Sequence, residues 1–103
     1  MGKKSISTYE TVAEIAFALS HPARVKIIEL LSSNKLRLKD ISDSLNLTPA
    51  TTTQHLLVLR RANLIHELKE GKWGKTKYYI ISEANKDRFI LYHFMAGNIF
   101  AKD

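Results

Sequence analysis

Between Leu38 and Asn63 the apolar residues keep a helical period on both sides of a three-residue break, and this spacing constrains the fold more than any other feature. Leu38, Ile41 and Leu45 share one face of a short helix, and Asn46-Leu47-Thr48 is a tight turn. A longer helix follows from Pro49 to about Ala62, with Thr48 as N-cap and Pro49 at its first position. A short helix, a tight turn and a longer helix form helix-turn-helix geometry, here over about 38–63. The second helix opens TPATTT, although threonine's branched Cβ restricts χ1 and makes it a mediocre helix former. The cap and the proline start a helix that Thr51 to Thr53 alone would not.

On a helical wheel Thr52, Leu56, Leu59 and Asn63 share one face, with His55 beside it. Ala50, Thr51, Thr53, Gln54, Leu57 and Arg61 lie on the opposite side or its margins. That outer face starts with small residues, hydroxyls and an amide and carries few acids, which suits entry into a DNA major groove. Hydroxyls pair with base edges or phosphates, glutamine pairs bidentately with adenine, and methyls touch thymine. The alternative is an ordinary solvated polar face.

Elsewhere the chain reads as more helix and one hairpin. In YETVAEIAFAL, Val12, Ile15, Ala16 and Leu19 fall at helical spacing and give a first helix over about 8–19. Pro22 opens a second, capped by Ser20 or His21, which Val25, Ile27, Ile28, Leu30 and Leu31 carry to SSN. After Asn63 the period changes from helical to alternating. LIHELKEGKWGKTKYYII is two alternating runs around a Gly- and Lys-rich tip, a β-hairpin over about 64–81. Residues 83–100 return to a helical pattern rich in large apolar side chains. The fold class is mainly α with a small β-hairpin, in the order α-α-α-α-β-β-α, a single winged-helix domain over 1–103.

The charge is uneven. The net +6 divides into +1 for residues 1–33, +5 for 34–81 with nine basic and four acidic side chains, and zero for 82–103. A basic centre between neutral ends is an electrostatic footprint for a polyanion; a solubility surface would spread its charge. Lys69, Lys72, Lys75 and Lys77 cluster around Trp73 at the hairpin tip against one acid, Glu70. Such a wing lays lysines along the backbone or into the minor groove, adding affinity and salt dependence more than sequence readout; the alternative is a charged, soluble loop tip.

No apolar run approaches the ~18–20 residues of a membrane span, and the N-terminus shows no signal-peptide pattern. Cytoplasmic, nucleoid-associated residence is the expectation, with no membrane partner. The absence of cysteine excludes disulfides, thiolate metal sites and a cysteine nucleophile. No phosphate-cradling glycine loop, nucleophile elbow or paired carboxylate site stands out, so an enzyme is not indicated.

With these parts in place, the sequence resembles the arsenic-repressor (ArsR) family of winged-helix transcriptional repressors over about residues 15–81. Leu19, Pro22, Arg24, Ile27, Ile28 and Leu31 approximate the family's L-x-x-P-x-R-x-x-I-L-x-x-L opening. Leu47, Thr48, His55, Leu56, Leu59, Ala62 and Leu64 match its L-S-x-x-x-x-S-x-H-L-x-x-L-x-x-A-G-L core, and Tyr78-Tyr79 closes the wing as in many members. The resemblance implies a homodimer built from the first and last helices on an inverted repeat. Val12, Ile15, Phe89, Tyr92, Met95 and Ile99 would form the interface, because so much apolar surface on one helix demands burial. The alternative is that the last helix folds back on its own core.

There are departures. Asn46 and Asn63 stand where the family usually has glycine, and asparagine is the next-best residue for a left-handed backbone. Leu57 replaces a commonly basic or polar residue, while the wing is longer between Gly71 and Tyr78 and richer in lysine, which suggests that phosphate contacts moved from helix to wing. The arsenic type carries two cysteines where this chain has Arg37 and Lys39, two cations that would repel a metal. A second family metal site joins Asp and His pairs on the last helix; here that helix offers Asp87 and His93 and no second histidine. We expect no metal and no cofactor.

The expected function is a homodimeric, sequence-specific regulator of transcription that binds double-stranded DNA through Thr48, Ala50, Thr51, Thr53, Gln54 and Arg61 of the recognition helix and Lys69, Lys72, Trp73, Lys75 and Lys77 of the wing. A non-specific architectural DNA-binding protein and a winged-helix protein-interaction module are the alternatives.

Overall fold

Four helices precede a two-stranded antiparallel hairpin. The computed structural model describes residues 6–82, with side chains from Tyr9 onward. Helices α1 (Ile6–Ala18), α2 (Pro22–Leu31), α3 (Leu38–Leu45) and α4 (Pro49–Arg61) lead into β1 (Ile65–Glu70) and β2 (Thr76–Ile81), with one 3-10 turn, Lys72–Gly74, at the tip. This is a winged helix-turn-helix. The helix expected over 83–100, with Phe89, Tyr92, Met95 and Ile99, lies outside the described residues.

Local chemistry accounts for the ends of the helices. His21 is the N-cap of α2, its Nδ1 accepting the Ala23 N–H at 3.1 Å, and Pro22 follows in the first turn. Thr48 caps α4, its Oγ1 accepting the Thr51 N–H at 3.1 Å. At the start of α3 the Arg37 N–H donates to the Asp40 carboxylate at 3.3 Å; that bond, with the Arg37 guanidinium, holds the Asp40 carboxyl below its ordinary range. Asn46 and Asn63 end α3 and α4 with φ of 55° and 58°. In both places the next N–H reaches back into the last turn, Leu47 to Ser42 O and Leu64 to Leu59 O, each at 3.1 Å. This closure needs a left-handed residue, which asparagine tolerates. Asn63 has therefore left the helix rather than sharing the face of Thr52, Leu56 and Leu59, and only those three are buried.

The core collects one or two faces from every element. Ile27, Ile28 and Leu31 of α2 meet Ile41 of α3, Leu56 and Leu59 of α4, and Ile65 and Tyr79 of the hairpin. Full burial of each aliphatic side chain is worth roughly 1.5–3 kcal/mol. The strands pair from Ile65↔Ile81 to Glu70↔Thr76. The α2–α3 connection adds an isolated bridge: Tyr79 N–H donates to Leu36 O at 2.7 Å and Leu36 N–H to Tyr79 O at 3.2 Å. The hairpin is thereby tied to the residues just ahead of α3, a tether that alternating hydrophobicity does not reveal.

Arg24 locks the α1–α2 corner. It is 8% exposed; its Nε donates to Ala18 O at 2.7 Å and its Nη2 to Phe17 O at 3.2 Å. These carbonyls belong to the end of α1 and have no partner within the helix. Nη1 lies 3.3 Å from His55 Nδ1, so the same guanidinium joins that corner to α4.

Candidate nucleic-acid interface

The first turns of α4 are held from below and within. Thr52, Leu56 and Leu59 anchor the inner face in the core. The Thr52 hydroxyl donates to Thr48 O at 2.9 Å, which is how a polar group sits fully buried there. On the outer face Ala50, Thr51, Thr53 and Gln54 are all exposed and adjacent. Some of the hydroxyls are already engaged. Thr48 Oγ1 donates to Thr51 Oγ1 at 3.0 Å while accepting the Thr51 N–H, and Thr53 Oγ1 donates to Pro49 O at 2.8 Å. What remains for a ligand is the Thr51 O–H, the threonine methyls and acceptor lone pairs, and the whole Gln54 amide. Within α4 there is no acid.

Arg61 is set apart from this surface. At the opposite end of α4 it lines a groove against α1 with Ala13, Glu14, Phe17, Val58 and Ala62. Val12 and Ile15 also lie on α1, Val12 60% exposed and Ile15 half-buried.

Pairing sorts the wing's cations. Glu70 is turned to Lys35, whose ammonium also lies 4.7 Å over the Tyr78 ring. Glu67 accepts both Lys77 at 3.2 Å and Arg60 at 3.4 Å. Its carboxylate holds the Lys77 ammonium above the ordinary lysine range. Among the described residues Lys69, Lys72 and Lys75 make no ion pair, and all three are exposed. The tip is a tight turn closed by Gly74 N–H to Gly71 O at 3.0 Å, with Gly71, Trp73 and Gly74 all at positive φ. Trp73, at φ 62° and 82% exposed, departs from the residue types that tolerate this backbone, at a cost of about 1–2 kcal/mol. The structure thus gathers four exposed residues of the α4 start on one surface and, on the hairpin that follows, an exposed indole with three lysines that make no ion pair among the described residues.

His55 sits behind the recognition surface, its ring centroid 4.5 Å from that of His21. Burial first, then His21 and Arg24, push its pKa below the ordinary 6.5. Accepting from Arg24 requires Nδ1 to be unprotonated, which leaves the proton on Nε2. Arg24 is the residue whose role the sequence did not disclose; its only signal was its place in the L-x-x-P-x-R run.

Arg37 and Lys39, aligned with the arsenic-type thiolates, pair with Asp40 at 3.4 Å and Asp43 at 2.8 Å. Among the described residues no three His, Asp or Glu side chains gather as a metal site, and no helix is long and apolar enough to cross a membrane. Asp87 and His93 lie outside the described residues.

Residues 21–67 match the model of a bacterial regulatory protein family, the arsR family. A helix-turn-helix-type transcriptional regulator of Methanocaldococcus jannaschii is 35% identical over 80 residues, 77% of this chain and 88% of that protein. The transcriptional repressor SdpR of Bacillus subtilis is 30% identical over 56 residues, 54% of this chain and 62% of that one. Among solved structures, the homodimeric winged helix-turn-helix DNA-binding domain of a possible ArsR-family regulator from Mycobacterium bovis has a TM-score of 0.75 at 22% identity, covering 92% of this chain and 86% of that one. At that identity the likeness concerns the fold alone.

Proposed function

Since the chain belongs to the arsR family of helix-turn-helix transcriptional regulators, we propose that it works as a homodimer that binds double-stranded DNA sequence-specifically and represses transcription from an inverted-repeat operator. Helix 49–62 enters the major groove, and the lysine-rich wing lies on the backbone or in the minor groove. A protein acting on the chromosome would reside in the cytoplasm, on the nucleoid. The observation that carries this reading is the acid-free, exposed start of α4, Ala50, Thr51, Thr53 and Gln54 on a helix anchored in the core, followed in the chain by three exposed lysines with no ion pair among the described residues. Gln54 and Thr51 supply base contacts, each good one worth roughly 1–3 kcal/mol of discrimination. Lys69, Lys72 and Lys75 supply phosphate contacts. Arg61, on the α1 side, is left out of this site. Val12 and Ile15 of α1 belong to the dimer interface, and dimerisation sets the two recognition helices about one DNA turn, ~34–36 Å, apart.

One observation favours a second reading. With the Thr48 and Thr53 hydroxyl protons committed to α4 itself, few donors face the groove, and an architectural protein held by lysines alone would need no more. Selection from a random duplex pool at about physiological salt separates the two. An enriched inverted repeat with half-sites one turn apart is the expected result. Retention without enrichment supports the architectural role, and no retention even at low salt leaves a protein-interaction module.

A further inference from the structure

Two features of the hairpin tip run against hairpin stability, and a third leaves a large apolar side chain uncovered. Lys69 faces Lys77 directly across the ladder, and like charges in opposed positions repel. Trp73 occupies the third position of the closing turn at φ 62°, ψ 22°, where glycine or asparagine is the ordinary residue. Its indole is 82% exposed, whereas the other exposed large apolar side chains among the described residues, Tyr9, Val12 and Phe17, belong to α1. When several local rules fail together at one point, the compensating gain is sought in function.

The surroundings define what would cover this indole. Lys72 and Lys75 flank it in the chain, and among the described residues neither they nor Lys69 is paired. An apolar protein surface would have to desolvate these ammoniums. A nucleic acid offers phosphates to the lysines and a sugar or base face to the ring. The turn closed by Gly74 N–H and Gly71 O holds the indole at the far end of a six-residue ladder, beyond the last strand pair, Glu70↔Thr76. The geometry points to Trp73 as an apolar wedge that enters the minor groove of bound duplex DNA beside the major-groove site, with Lys72 and Lys75 on the flanking phosphates. The inference rests on α4 docking in the major groove. A side chain wedged at a base step opens it, and pyrimidine–purine steps open most easily. The wing then contributes sequence preference outside the half-site without any base-edge hydrogen bond.

Trp73 is the sole tryptophan, so its emission and its access to acrylamide report on this one contact. In the full chain the indole is accessible when free, and becomes quenched and protected on the duplex recovered by selection. Trp73→Gly relieves the positive φ and folds at least as stably, yet binds that duplex roughly five- to a hundredfold more weakly, the range of base–aromatic stacking. Its salt slope stays that of the wild type, because no charge is lost. Trp73→Phe regains most of the affinity. Moving a pyrimidine–purine step out of the flank weakens the wild type and leaves Trp73→Gly indifferent. An indole that stays accessible in the complex, or a Trp73→Gly variant that binds like the wild type, overturns the wedge and leaves the α4 reading standing. An indole already protected in the free protein also overturns it, since this chain or a second copy then covers the ring. A wild type that binds no duplex overturns both.

Discussion

The start of α4 and the tip of the wing are both exposed, polar and candidates for DNA contact, yet they are built in opposite ways. At the start of α4 the hydrogen-bonding groups are largely committed. Thr48 caps Thr51, Thr52 and Thr53 donate to the carbonyls one turn back, and Thr52 is buried beside Leu56 and Leu59. At the tip little is committed. Three lysines have no ion pair among the described residues, and a tryptophan stands in a glycine's conformation. The helix presents a fixed shape with the Thr51 O–H and the Gln54 amide still free, which suits discrimination between bases. The wing presents charge and an indole, which suit affinity. Distance from the core is the physical cause: packing enforces geometry on α4, whereas the tip is held by its strand ladder and one closing hydrogen bond.

Four perturbations would break or sharpen this contrast. The largest effect is expected behind α4, where Leu59→Ala should cost about 2–5 kcal/mol in urea unfolding; Lys72→Ala with Lys75→Ala should stay within about 0.5 kcal/mol of the wild type. If the two variants lose similar stability, the tip is as structural as the helix. Binding should show the reverse weighting. The double lysine variant removes four phosphate contacts from a dimer on its operator and flattens the plot of log affinity against log salt by about 3.6, or 0.9 for each contact. Replacing Thr51, Thr53 and Gln54 by Ala relaxes base preference at an unchanged slope, and an unaltered slope in the lysine variant would move the phosphate contacts out of the wing. Thr48→Ala comes next, with a loss of about 1 kcal/mol as the helix start loses its cap; no change by denaturation would mean that Pro49 alone starts α4.

The smallest effect is a pH dependence. His55 has a folded pKa below its ordinary 6.5, so the folded state binds fewer protons than the unfolded chain. The stability it contributes is complete above pH 6.5 and is lost as the pH falls through the folded value. His21 and Arg24 face the ring, and a proton on Nδ1 would set an imidazolium against the guanidinium. Thermal unfolding of the wild type should therefore weaken below about pH 6.5 more than that of His55→Gln, which keeps an acceptor but does not titrate. Parallel profiles would place the titration elsewhere.

Much of this was legible before any tertiary structure. Caps, prolines and periodicity are local, and they marked the N-terminal starts of α2 and α4, the turn at Asn46 and the hairpin. The two asparagines at glycine-like positions do hold positive φ. The wing's electrostatics were legible only in outline. Composition set Glu70 against the tip lysines, whereas its partner is Lys35, 35 positions away, and Lys77 is engaged by Glu67. Arg61 shared a wheel face with Thr51 and Thr53, but α1 crosses its end of the helix and takes it into a separate groove.

By itself the sequence determined the order of the elements from α1 to β2, the helix-turn-helix, the basic middle and the family, since each depends on residue type at short, fixed spacing. Only the tertiary structure decided which charges pair among the described residues, which carbonyls Arg24 bonds, how Leu36 tethers Tyr79, and that Trp73 is exposed. Those outcomes depend on which distant segments pack together. Pairing and burial are properties of that packing, and no periodicity along the chain encodes them.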